Sequence, residues 1–174
     1  SGPASFTSTL QNPTRTNTVV AHSGLYTVTV TSAAGCTATS SVNVTVNQTP
    51  TATATATPNP ICSGGTVTFG SSGGATYAWS GPGSFTSTLQ NPTRTNVTVA
   101  QSGIYTVTVT SANGCSSTAT VTLVVNPAAT ATAGATPNPV CIGSALNLTS
   151  SGGSTYAWSG PAGFTSTLQN PVRN

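Results

Sequence analysis

The sequence repeats itself every 79 residues. Ser-Gly-Pro occurs at Ser1, Ser80 and Ser159, and Phe-Thr-Ser-Thr-Leu-Gln-Asn-Pro begins at Phe6, Phe85 and Phe164. Tyr26 returns as Tyr105, Cys36 as Cys115 and Cys62 as Cys141, at the same interval. Self-similarity at a fixed period means that one folding unit has been copied. The copies lie out of step with the 174 residues: 1–47 is the back half of one unit, 48–126 is a complete unit, and 127–174 is the front half of a third. The expectation is a window on a longer tandem array. The alternative is a head-to-tail polymer in which the back half of one molecule completes the front half of the next.

Inside the complete unit the pattern has period two, not the 3.6 of a helix. Runs rich in Thr, Val, Tyr and Phe are bounded by Gly, Pro, Asn and Ser, the signature of short strands. Expected strands cover Thr51–Thr57, Thr66–Phe69, Thr76–Ser80, Ser84–Leu89, Asn96–Val99, Ile104–Ser111 and Ala119–Val125. Asn113-Gly114 predicts a tight hairpin between the last two, since both residues tolerate positive φ. About seven antiparallel strands at this spacing predict an immunoglobulin-like sandwich. The expected core is Phe69, Tyr77, Trp79, Tyr105, Val107, Val109, Val121 and Leu123. Trp79 stands where such folds bury a tryptophan, and Ser102-Gly103-Ile104-Tyr105 resembles a tyrosine corner. The linkers Asn47–Thr57 and Asn126–Thr136 carry Pro and alternating Thr and Ala, which predicts short strands or semi-rigid spacers.

The composition removes most chemistry. The only charged residues are Arg15, Arg94 and Arg173, and there is no Lys, Asp or Glu. A paired-carboxylate glycosidase, a carboxylate-built calcium site and a P-loop are therefore excluded. Three scattered arginines are not a nucleic-acid footprint, which needs clustered charge. No apolar run reaches the 18 or so residues of a membrane span. His22 is the only imidazole and is replaced by Gln101 in the next unit, so it reads as a loop residue. No enzymatic activity, metal or cofactor is expected. Rows of Thr could in principle order water, but a small twisted sheet does not hold such a row flat; a neutral strand-favouring surface accounts for them.

Cys62-Ser63-Gly64-Gly65, Tyr77-Ala78-Trp79, Gly103-Ile104-Tyr105-Thr106-Val107-Thr108-Val109 and Asn113-Gly114-Cys115 resemble the Ig-like or PKD-like tandem repeats of large secreted surface proteins in Bacteroidota. Those include gliding-associated adhesins exported by the type IX route. The resemblance implies tandem all-β sandwiches outside the cell, acting as spacers or adhesive modules. The absence of acidic residues departs from many such repeats and argues against calcium-rigidified linkers.

Four cysteines in so polar a chain predict disulfides and an oxidising compartment. Cys62 with Cys115, inside one unit, is the simplest pairing; Cys36 and Cys141 are their equivalents. In an orthodox sandwich the two would lie at opposite poles, beyond the 7 Å or so that a disulfide tolerates between Cα atoms, so pairing with the adjacent repeat stays open. Arg15, Arg94 and Arg173, one per Gln-Asn-Pro-x-Arg loop, are candidate contacts to a glycan or a neighbouring strand, or else solvated loop charges. Phe85 is the best candidate for an exposed aromatic platform. The expected function is a structural module of an extracellular filament, stalk or adhesin, giving extension, mechanical stability and adhesion. Its expected partners are neighbouring repeats, copies of itself, or a surface glycan. The alternatives are a lectin-like polysaccharide-binding module and a self-assembling fibre subunit.

Overall fold

The computed structural model describes residues 1–173. The first half-unit is a hairpin of β1 (Gly24–Thr31) and β2 (Thr37–Val44). The complete unit contributes β3 (Thr53–Thr57), β4 (Ile61–Cys62), β5 (Val67–Ser72), β6 (Thr76–Gly81), β7 (Phe85–Ser87), β8 (Thr93–Arg94), β9 (Gly103–Thr110), β10 (Ser116–Leu123) and β11 (Val125–Asn126). The last half-unit has β12 (Thr132–Thr136), β13 (Leu146–Ser151), β14 (Trp158–Gly160), β15 (Phe164–Ser166) and β16 (Val172–Arg173).

The complete unit is an Ig-like sandwich. One sheet has the order β3-β5-β8, the other β10-β9-β6-β7, and a two-stranded parallel pair, β4 with β11, closes one side. Alternation decides which residues face inward. Along β9, Tyr105, Val107 and Val109 are fully buried, while Thr106, Thr108 and Thr110 face out. Register pairs hydroxyls across the outer face, Thr106 with Thr120 and Thr108 with Thr118, a favourable cross-strand arrangement. Between the sheets Phe69 stacks on Tyr105 at 4.3 Å between ring centroids and meets Trp79 at 5.5 Å. Each such side chain contributes about 1.5–3 kcal/mol by leaving water.

Phe69, Trp79, Tyr105, Val107, Val109 and Leu123 are buried, whereas Tyr77 and Val121 lie half-buried at the margin. Ile61, Val67, Val97 and Val125 complete the core. The expected strand at Asn96–Val99 is replaced by β8 and a 3-10 turn at Val99–Gln101. The expected single strand to Val125 is broken at Val124. There Asn59 intervenes, donating to Thr122 O at 2.7 Å and accepting from Val124 N at 2.9 Å. The freed end becomes β11, and Ile61 N donates to Val124 O.

The half-units show what the second sheet does. Val28 and Val30 occupy the positions of Val107 and Val109 but are 53% and 58% exposed. Trp158, the equivalent of Trp79, is only half-buried. The same residues become core only when the strands of both sheets are complete.

Candidate functional site

The motif shared by all three copies runs from the Ser-Gly-Pro turn to the arginine, and in the complete unit it ties the two sheets together. β8 carries Arg94 on one sheet; β7 and β9 carry Phe85 and Tyr105 on the other. The guanidinium crosses between them. Nη1 donates to Pro82 O at 2.6 Å and to the Tyr105 hydroxyl at 2.8 Å, and the carbon of the group lies 5.3 Å from the Phe85 ring centroid. Tyr105 passes the interaction on, its hydroxyl donating to Gln101 O at 3.0 Å. This is the tyrosine corner with a cation added behind it. A planar fork that both donates and stacks is a property of Arg that Lys lacks. With no carboxylate in the chain, its charge is met by oxygen dipoles and a ring face.

The first copy repeats the arrangement. Arg15 donates to Pro3 O at 2.8 Å and to the Tyr26 hydroxyl at 2.9 Å, lies 5.1 Å from the Phe6 ring, and Tyr26 donates to His22 O. Arg173 stacks on Phe164 at 5.3 Å. The reading of these arginines as solvated loop charges is corrected here for Arg15 and Arg94: both are half-buried and bonded within their own unit. Phe85 is likewise not an exposed platform. It is half-buried, 5.4 Å from both Phe69 and Tyr105, and roofed by Arg94.

The preceding residues of the motif act as a substitute strand beside β5. Gln90 Nε2 donates to Ser71 O at 2.9 Å, Asn91 Oδ1 accepts from Ser71 N, and Phe69 N donates to Pro92 O. Gln169 and Asn170 hold Ser150 in the same way. Buried main-chain groups must find partners, and here side-chain amides supply them.

His22 has a local role. Its Nδ1 accepts from Val19 N at 3.3 Å, as Gln101 Oε1 accepts from Thr98 N at 3.1 Å. Either side chain closes the turn before the tyrosine, which is why the two alternate. Among the described residues no three His, Cys, Asp or Glu side chains come together as a metal site would require. Two open grooves, of about 320 and 310 Å³, flank the half-units. One is lined by Phe6, Leu10, Tyr26 and Val28, the other by Ala133, Ser150, Tyr156 and Trp158. In the complete unit the equivalent space is filled by the facing sheet.

All four thiols are free. The pairing of Cys62 with Cys115 is corrected by the strand ladder. Cys62 pairs with Asn126, while Cys115 sits in the hairpin at the other end of β10. Eleven residues of extended chain separate those levels, roughly 35 Å at the usual strand rise. Cys115 instead lies at the linker before its unit: its Sγ is 3.9 Å from Asn47 O, and Ser117 Oγ donates to Pro50 O at 2.6 Å.

Residues 51–126 match the family model of the PKD domain, a match that fits the Ig-like sandwich of the complete unit. No curated protein matches the chain. Among solved structures it is similar to an amphioxus IgVJ-C2 molecule, at 21% identity and a TM-score of 0.40 over 62% of this chain and 63% of that one. It is similar to murine CEACAM1b at 19% identity and a TM-score of 0.40, over 62% of this chain and 70% of the other. A Ca2+-stabilized adhesin that helps an Antarctic bacterium reach out and bind ice aligns at 21% identity and a TM-score of 0.42, over 88% of this chain and 48% of the adhesin. At such scores the fold assignment rests on the strand pairing and the PKD match.

Proposed function

We propose that the chain is a structural module of an extracellular filament, stalk or adhesin, whose units extend and stiffen the assembly. The observation that supports this reading is the docked linker. Asn47 and Pro50 are held by Cys115 and Ser117 in the hairpin of the unit that follows. A linker bonded to its own domain transmits orientation, which a free Gly/Ser tether does not. The shared motif is spent on joining sheets, as expected of a module whose work is to stay folded, and PKD and Ig-like domains are in general non-catalytic. The sequence resemblance to gliding-associated surface repeats of Bacteroidota, exported by the type IX route, supports a bacterial surface as the setting of such a filament.

Electron microscopy of the native material tests the reading. Uniform rods with a repeat of roughly 35–45 Å, one strand length plus a linker, are expected. Discrete globules, or units that tumble independently, would overturn it.

A further inference from the structure

The tandem-array reading raises the question of what the cysteines do, and the junction between units answers it. At one end of the complete unit, Cys62 pairs in register with Asn126, and Ser63 N donates to Asn126 O at 2.8 Å. At its other end, the Cys115 thiol lies 3.9 Å from Asn47 O. Asn47 and Asn126 are the same position one repeat apart. They are also held alike: Ser23 Oγ accepts from Val46 N at 2.8 Å, and Ser102 Oγ accepts from Val125 N at 2.9 Å. Each Ser also donates to the carbonyl of the same valine.

Superposing the two ends by the 79-residue repeat brings two cysteines to the same Asn. The first cysteine of a unit lies beside the Asn that ends it, with Cα atoms about 5 Å apart as in any paired strands. The hairpin cysteine of the following unit reaches the oxygen of that same Asn. A disulfide needs Cα atoms within about 4.4–6.8 Å. We propose that the cysteines bond between successive units, the first cysteine of one to the hairpin cysteine of the next. Within the 174 residues Cys62 and Cys115 are not partners of each other; each bonds a residue one repeat further along or back. The reaction is thiol–disulfide exchange with a low-molecular-weight disulfide such as oxidised glutathione. One protein thiolate displaces a glutathione thiol to give a mixed disulfide. The second protein thiolate then displaces the other, so two thiols are oxidised as one glutathione disulfide is reduced.

The inference rests on the array reading, so the test supplies the junctions directly. Residues 1–158 fused to a second copy of 1–174 keep the 79-residue register without a break. After refolding with oxidised glutathione, four of the eight thiols should be lost. Cys62 of the first copy should bond Cys36 of the second, and Cys141 of the first should bond Cys115 of the second. Arg is the only tryptic site, so Cys36 and Cys62 fall in the peptide from Thr16 to Arg94, and Cys115 and Cys141 in the peptide that starts at Thr95. The expected bonds join peptides of one kind to each other. A bond between the two kinds, the signature of Cys62 with Cys115, overturns the proposal, as does retention of all thiols in the folded fusion. Cys115→Ser in the second copy should free Cys141 of the first and leave the other bond intact. The unfused chain, dilute and under the same oxidant, should keep four free thiols, and an internal Cys62–Cys115 bond there overturns the proposal without reference to the fusion. Globular native material would defeat the filament reading yet leave this result standing.

Discussion

Arg94 shows how a charge can be structural in a chain without counter-charges. Its guanidinium takes two oxygens and one ring face, and each partner belongs to an element that must stay in place. Arg94→Lys should destabilise the complete unit by about 1–3 kcal/mol, since a point charge cannot serve the fork and the ring together. Urea denaturation followed by tryptophan fluorescence measures this; a change under about 0.5 kcal/mol would remove the clamp from the account. A second prediction concerns Gln101. The first copy has His22 at this place with the same bond, so Gln101→His should be nearly neutral, while Gln101→Ala should cost about 1 kcal/mol, as the loss of a turn-capping acceptor does. Equal losses for both variants would contradict a shared acceptor role.

At the scale of elements, what was legible in the sequence depended on periodicity. β9 and β10 announce themselves by strict alternation, and the Asn113-Gly114 turn by its φ requirement. The pair β4 and β11 has two residues a strand, too few to alternate, so no periodicity marks Ile61 as core, and none marks Val97, which lies outside any strand. Gln90 and Asn91 bond main chain through side chains, which leaves no periodic trace. Phe85 reads as free in the sequence because its cover is an arginine from another sheet, which no local pattern announces. The Ser-Gly-Pro turn has a further steric reason. A Cβ at Gly81 would come within 3 Å of the Tyr105 ring, and Gly103 holds φ at +137° against Pro82. Gly81→Ala should therefore force the tyrosine from its seat and lower stability by about 1–3 kcal/mol, the usual cost of overpacking. Thermal melts of the variant decide it; an unchanged midpoint would mean the ring moves freely.

For the whole molecule, the dominant fact is a folded surface built of hydroxyls and amides. Acid denaturation usually works by protonating carboxylates that are paired in the native state, and this chain has none. Stability should be nearly level from about pH 3 to 9 and respond little to salt, since screening has almost no charge pairs to act on. Chemical denaturation at several pH values checks this, and a sharp loss near pH 4 would contradict it.

The parallel pair of β4 and β11 has a mechanical consequence. The linker enters the unit at the hairpin end, where Cys115 and Ser117 hold Asn47 and Pro50, and the chain leaves at the other end through Asn126. A pull on the two ends of the unit would draw them apart, so that parallel β4 and β11 would slide along each other rather than peel. The bonds from Ile61 N to Val124 O and from Ser63 N to Asn126 O then carry the load in shear, together rather than in turn. In an array of such units, this pair would resist tension as a latch does.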